Sequence, residues 1–101
     1  MSQYAWTITK DHIADPEHTP PSNHNAVGVV GPSDTNMTHE QIVNHSDGQY
    51  FKMYDDDDEL YYEGYYIGDD GIEPLDDFGT PNAGAVGIKY RNKDGKMEYI
   101  N

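Results

Sequence analysis

Between Met53 and Ile88 the chain carries eleven Asp or Glu residues, at positions 55–59, 63, 69, 70, 73, 76 and 77, and no Lys or Arg. Carboxylates at this density can hold a divalent cation, supply an acid and a base for hydrolysis, or present negative charge to a basic surface. Calcium requires oxygen ligands at set spacing. Placing Asp55, Asp57 and Glu59 at the first three ligand positions of an EF-hand loop puts Leu60 where the turn glycine belongs and Tyr66 where the bidentate glutamate belongs. The motif fails, leaving only nonspecific cation binding by residues 55–59. A hydrolytic carboxylate pair could be drawn from these acids in many ways, and spacing singles out none. The third use fits best: duplex DNA presents about one negative charge per 1.7 Å of axis, and acids on a hairpin tip, a strand and an adjoining loop approximate such a row.

Other chemistry finds little support. With no cysteine, disulfides, thiolate zinc sites, iron–sulfur clusters and cysteine nucleophiles are excluded. Five histidines, at 12, 18, 24, 39 and 45, precede the acidic window; three imidazoles can bind zinc, but no helical spacing organises these, and they read as surface residues. Asp77-Phe78-Gly79 matches the kinase metal-binding triplet by letters alone, without a glycine-rich loop or catalytic-loop motif. No Ser or Thr has a credible base, and no glycine motif for phosphate is present. The expectation is a protein without catalytic residues, bound metal or cofactor.

Six basic against nineteen acidic residues give a net charge of −13. Such a chain repels nucleic acid and anionic lipid, because phosphate recognition needs Lys or Arg to replace counterions. The partner should therefore be basic. No apolar run approaches the roughly 18 residues of a membrane span, and the N-terminus lacks a basic flank and a hydrophobic stretch, so a cytoplasmic protein is expected. Leu, Ile, Val and Phe total only 16 of 101 residues, a proportion close to that of disordered chains. The nine Tyr and Trp6 must supply much of any core, each aromatic burying on the order of 150–250 Å².

The elements that would position the acids follow from periodicity. Residues 3–10 alternate Tyr4, Trp6 and Ile8 with polar neighbours and read as a strand. The Pro-, Asn- and His-rich run 15–25 reads as a flexible loop, and Ala26 to Val30 as a short strand. Thr38-His39-Glu40-Gln41 forms a capping box ahead of one or two helical turns within 38–45. Two β-prone runs flank the five consecutive acids, predicting a hairpin over 50–67. Phe51, Met53, Leu60 and Tyr62 would face inward, with Tyr50, Tyr54, Tyr61, Glu63 and Tyr65 on the opposite face. Residues 68–85 read as a connection whose stretch 75–84 is a tight loop anchored by Leu75 and Phe78. A last hairpin over 86–100 turns at Asp94-Gly95. The fold class expected is mainly β, an α+β domain over 1–101 with one short helix and a single antiparallel sheet of about five strands.

Three segments carry a resemblance: residues 4–11 (YAWTITKD), 54–64 (YDDDDELYYEG) and 74–84 (PLDDFGTPNAG). They resemble segments of small acidic proteins of uncharacterised activity encoded by bacteria, plasmids and phages, a group that implies no catalytic residues. In size and acidity the chain is also similar to DNA-mimicking anti-restriction and anti-CRISPR inhibitors. The resemblance and the acidic window together imply an inhibitor that binds the basic nucleic-acid-binding surface of a partner, such as a nuclease or CRISPR effector, without binding nucleic acid itself. The contacts expected are Asp55, Asp56, Asp57, Asp58, Glu59, Tyr61, Glu63, Tyr65, Asp69, Asp70, Asp76 and Asp77. The alternative is a protein-interaction module that uses an exposed tyrosine face, the acids serving solubility.

Overall fold

A computed structural model describes residues 4–12 and 26–100. The expected loop at 15–25, with His18 and His24, lies outside the described residues. The strands are β1 (Ala5–Asp11), β2 (Val30–Gly31), β3 (Gln49–Tyr54), β4 (Leu60–Ile67), β5 (Gly87–Arg91) and β6 (Met97–Tyr99). They form one sheet of order β2-β1-β4-β3-β5-β6, antiparallel at every pairing. The fold is mainly β, as expected, with six strands rather than five. No helix among the described residues is long and apolar enough to cross a membrane.

Strand alternation sends successive side chains to opposite faces, and the register aligns one apolar set across the sheet. Ile8 and Phe51 both pair with Gly64, Trp6 pairs with Tyr66, Met53 with Tyr62 and Ile88, and Phe51 with Tyr90. These side chains make the inner face and are buried. Aromatic edges do much of the packing: Phe78 lies 5.4 Å from Trp6 and 5.0 Å from Tyr62, and Tyr90 lies 5.9 Å from Phe51 and 5.7 Å from Tyr66, ring centre to ring centre.

Residues 75–83 cover the inner face, and here the expected tight loop is replaced by helix. A π-helical segment, Leu75–Gly79, runs into α2, Thr80–Ala83. The Thr80 N–H reaches Leu75 O, five residues back rather than four, which widens the turn, and Pro81 has no N–H to continue the ladder. Leu75 and Phe78 still anchor the segment, as expected. The expected strand over 26–30 is also shortened. Gly28 takes a φ of +93°, Val29 N–H donates to Ala26 O, and this turn leaves only Val30 and Gly31 to pair with β1. A bulge pairs Leu60 with Tyr54, so Leu60 does not join Phe51 and Met53 in the core.

The opposite face is partly covered by α1 (His39–Val43). Both arms of the expected capping box are present, Thr38 N–H donating to Gln41 Oε1 at 2.9 Å and Gln41 N–H to Thr38 Oγ1 at 3.2 Å. Ile42 is fully buried, and His39 Nδ1 lies 2.6 Å from Thr7 Oγ1.

A tyrosine-rich core must satisfy its hydroxyls. Tyr66 OH donates to Glu73 at 2.6 Å, Tyr90 OH donates to Gly71 O at 2.8 Å, and Asn82 donates to Tyr62 OH at 2.8 Å. Burial, followed by the bond to Glu73, pushes Tyr66 up to about 12, and burial pushes Tyr90 upward as well. The unfolded chain releases tyrosine protons near pH 10, whereas the folded chain retains these until higher pH. Between the two values the folded state binds more protons, so stability is intact below pH 10 and falls as pH rises toward 12. Urea midpoints should therefore drop steeply over that interval while ultraviolet absorbance reports tyrosinate forming together with unfolding. Normal tyrosine ionisation in a chain that stays folded would contradict this.

Candidate functional site

The five consecutive acids form an ordered turn. Asp55 Oδ1 accepts the N–H groups of Asp57 and Glu59, both at 2.8 Å, Asp55 N–H donates to Glu59 O, and Asp58 takes a φ of +63°. The β5–β6 turn repeats the design: Asn92 Oδ1 accepts from Asp94 and Lys96 at 2.9 and 3.0 Å, and Gly95 takes a φ of +84°. Asp and Asn suit this first position because a short side-chain oxygen bonds the backbone two residues on. Asp55 thus builds the turn, and Asp56, Asp57, Asp58 and Glu59 are left exposed on it. The carboxylates of Asp55, Asp56 and Asp57 lie within 4.8 Å of one another.

The remaining acids divide between the other end of the sheet and the covering layer. Asp69 and Asp70 follow β4, whose eight residues span roughly 24 Å from first to last at ~3.4 Å per step and so set these acids at the far end from the hairpin tip. Asp77 joins that end, because its Oδ2 accepts from Tyr4 OH at 2.7 Å and from Trp6 Nε1 at 3.1 Å. Tyr4 is pushed up to about 12, mainly by this bond, with Glu73 and Asp34 adding negative charge. Asp76 is exposed on the covering segment. Two acidic poles result, one at residues 55–59 and one around Asp69, Asp70 and Asp77.

Glu63 departs from its expected place among the exposed contacts. Only 7% of it is accessible; Tyr50 OH donates to one oxygen, and His12 Nε2 lies 2.5 Å from the other. It lies between Lys10 and Lys52 across the sheet, so its carboxylate is occupied within the chain rather than presented at the surface. Both Tyr61 and Tyr65 are half-buried; Tyr65 keeps the expected outer face, whereas the bulge that pairs Tyr54 with Leu60 leaves Tyr61 unpaired with β3 and packed against the inner core beside Tyr62. Tyr65 packs on Tyr50 at 5.6 Å, and Tyr61 is pushed up by burial and by Asp55.

The basic residues on this face have a visible but overlooked signal, since Lys52, Lys89 and Arg91 fall on the period-two positions opposite the core. Lys89 Nζ sits 4.6 Å from the Tyr54 ring centre and 4.5 Å from that of Tyr99, while Arg91 lies 5.1 Å over Tyr50. These are cation–π distances. Tyr99 also donates to Asp58. Between Tyr99 and the acidic turn lies a cavity of about 230 Å³, lined by Asp55, Asp56, Asp58, Val86 and Gly87. Among the described residues no Lys or Arg forms an ion pair with an acid of either pole.

No family model, curated protein or solved structure matches the chain.

The division of labour within the turn is testable. Asp55→Ala removes the side-chain acceptor of two backbone N–H groups and should cost about 1 kcal/mol of stability, whereas Asp56→Ala and Asp57→Ala should cost nothing or stabilise slightly by relieving repulsion. Chemical denaturation of the three variants measures the difference, and equal effects would contradict the assignment.

Proposed function

We propose that this chain is a non-catalytic, cytoplasmic inhibitor of the anti-defence type, which occupies the basic nucleic-acid-binding surface of a partner protein by mimicking DNA charge. One observation carries the reading. Among the described residues the exposed carboxylates of both poles have no Lys or Arg partner, and cations that could neutralise them are held over tyrosine rings on the outer sheet face. The poles stand at opposite ends of β4, which spans roughly 24 Å, a distance covered by about seven phosphates of one DNA strand. A nuclease or CRISPR effector offers a channel of matching sign. Inhibition would be by occupancy: long-range attraction raises the association rate, and close packing slows release.

The open outer face supports a second reading. Tyr50, Tyr54, Tyr65 and Tyr99 lie on one side of the sheet, and Tyr99 is 44% exposed. Tyrosine is favoured at interfaces, so this face could recognise a protein while the acids confer solubility.

Converting Asp55, Asp56, Asp57 and Asp58 together to Asn separates the two readings. Asn at position 55 keeps the turn acceptor, as Asn92 does in the second hairpin, so the fold should be equally or more stable. Affinity for the basic partner should fall about fivefold or more, the three exposed carboxylates of Asp56, Asp57 and Asp58 contributing a few tenths of a kcal/mol each. Unchanged affinity, with Tyr61→Ala and Tyr65→Ala weakening binding instead, would overturn charge mimicry in favour of the tyrosine face.

A further inference from the structure

At the pole opposite the acidic turn, a cavity of about 350 Å³ is lined by Trp6, Val30, Gly31, Pro32, Ser33 and Asp77. Its walls are set before anything binds. Trp6 is 3% exposed, with Phe78 packed against it at 5.4 Å. Gly31 lies so close to the indole that an added Cβ would stand 2.2 Å from Cζ2. The Asp77 carboxylate is held by two donors on one oxygen, Tyr4 OH at 2.7 Å and Trp6 Nε1 at 3.1 Å. Its second oxygen receives no donor from the described residues and is free to accept one.

The lining selects a ligand class. Asp77 and the Ser33 hydroxyl offer acceptors, Pro32 has no N–H to give, and no Lys, Arg or His is among the lining residues. Glu73 and Asp34 act on Tyr4 in the same sense as Asp77, so the field at this end of the sheet favours a cation. A single carboxylate is too few oxygen ligands for calcium. The volume is near the lower end of the range for small-ligand sites, ~300–1,000 Å³, which suits one side chain. A guanidinium, planar and rich in N–H donors, matches a carboxylate better than an ammonium does.

We propose that this cavity receives one arginine side chain of the basic partner. The inference rests on the charge-mimic reading and deepens it: the acidic turn would supply long-range attraction, and this pocket would supply a fixed anchor. A carboxylate already held in place loses little freedom on binding.

Trp6 is the only tryptophan, so its indole N–H gives one magnetic-resonance signal located at the pocket. The intact chain is titrated with N-acetyl-arginine amide and, separately, with the neutral isostere N-acetyl-citrulline amide. The expected result is a saturable shift of the indole signal with arginine and at least about tenfold weaker binding of citrulline. Asp77→Asn keeps an oxygen for Tyr4 and Trp6 but removes the charge, and should weaken arginine binding to a similar extent with an unchanged circular dichroism spectrum. Equal responses to the two ligands, or undiminished binding by folded Asp77→Asn, would overturn the proposal. Should that variant not fold, the arginine–citrulline comparison on the native chain decides alone. The titration involves no partner, so its failure eliminates the pocket without touching mimicry, whereas mimicry fails on the affinity of the Asn variant at 55–58.

Discussion

At Gly64 the central strand β4 approaches its neighbours so closely that an added Cβ would stand 2.0 Å from the Thr7 carbonyl oxygen and 2.7 Å from Phe51 Cζ. This position pairs with Ile8 on one side and Phe51 on the other, and no side chain fits between them. The period of a strand is two residues, so a slip of one would exchange the faces. Tyr62 and Tyr66 would leave the core, and Glu63 and Tyr65 would enter it. The register centred on Gly64 therefore decides which tyrosines stabilise the fold and which stay on the outer face.

A chain with a net charge of −13 and few aliphatic residues must stabilise this register with aromatic packing. Each tyrosine adds a hydroxyl that would be costly to bury without a partner. Glu73, Asn82 and the Gly71 carbonyl satisfy the hydroxyls of Tyr66, Tyr62 and Tyr90. Some of the acids are thus structural: Glu73 serves the core, Glu63 the sheet face, Asp55 the turn. Asp56, Asp57, Asp58, Glu59, Asp69, Asp70 and Asp76 are exposed and are the acids best placed to act on something outside the molecule.

Much of the fold could be read from local pattern. The alternation in 50–67 assigned Phe51, Met53 and Tyr62 to the core, and Thr38 with Gln41 identified the start of α1. Errors arose where tertiary context overrides pattern. The 75–83 segment reads as loop because it holds Gly79, Pro81 and Gly84, yet it becomes helical where Leu75 and Phe78 settle onto the inner face. The short apolar run 26–30 reads as strand, but Gly28 turns it. Of the candidate site, the acidic turn was legible because the charges are consecutive. The division into two poles was not, since it depends on the length and direction of β4. Glu63 lies on the face that alternation assigns it, but alternation cannot show that His12 and Tyr50 close over it. The anchoring of Asp77 by Tyr4 and Trp6 joins residues more than seventy positions apart and has no local signal.

The central claim is that the exposed carboxylates compete with nucleic acid for a basic surface. Its most direct test is to capture a partner from bacterial lysate on the purified chain at low salt, identify it by mass spectrometry, and challenge the complex with duplex DNA. The account predicts recovery of a nucleic-acid-binding protein that DNA displaces and that roughly 0.5 M salt releases, since binding through many charges weakens as they are screened. A partner that remains bound through both the DNA and the salt would contradict it.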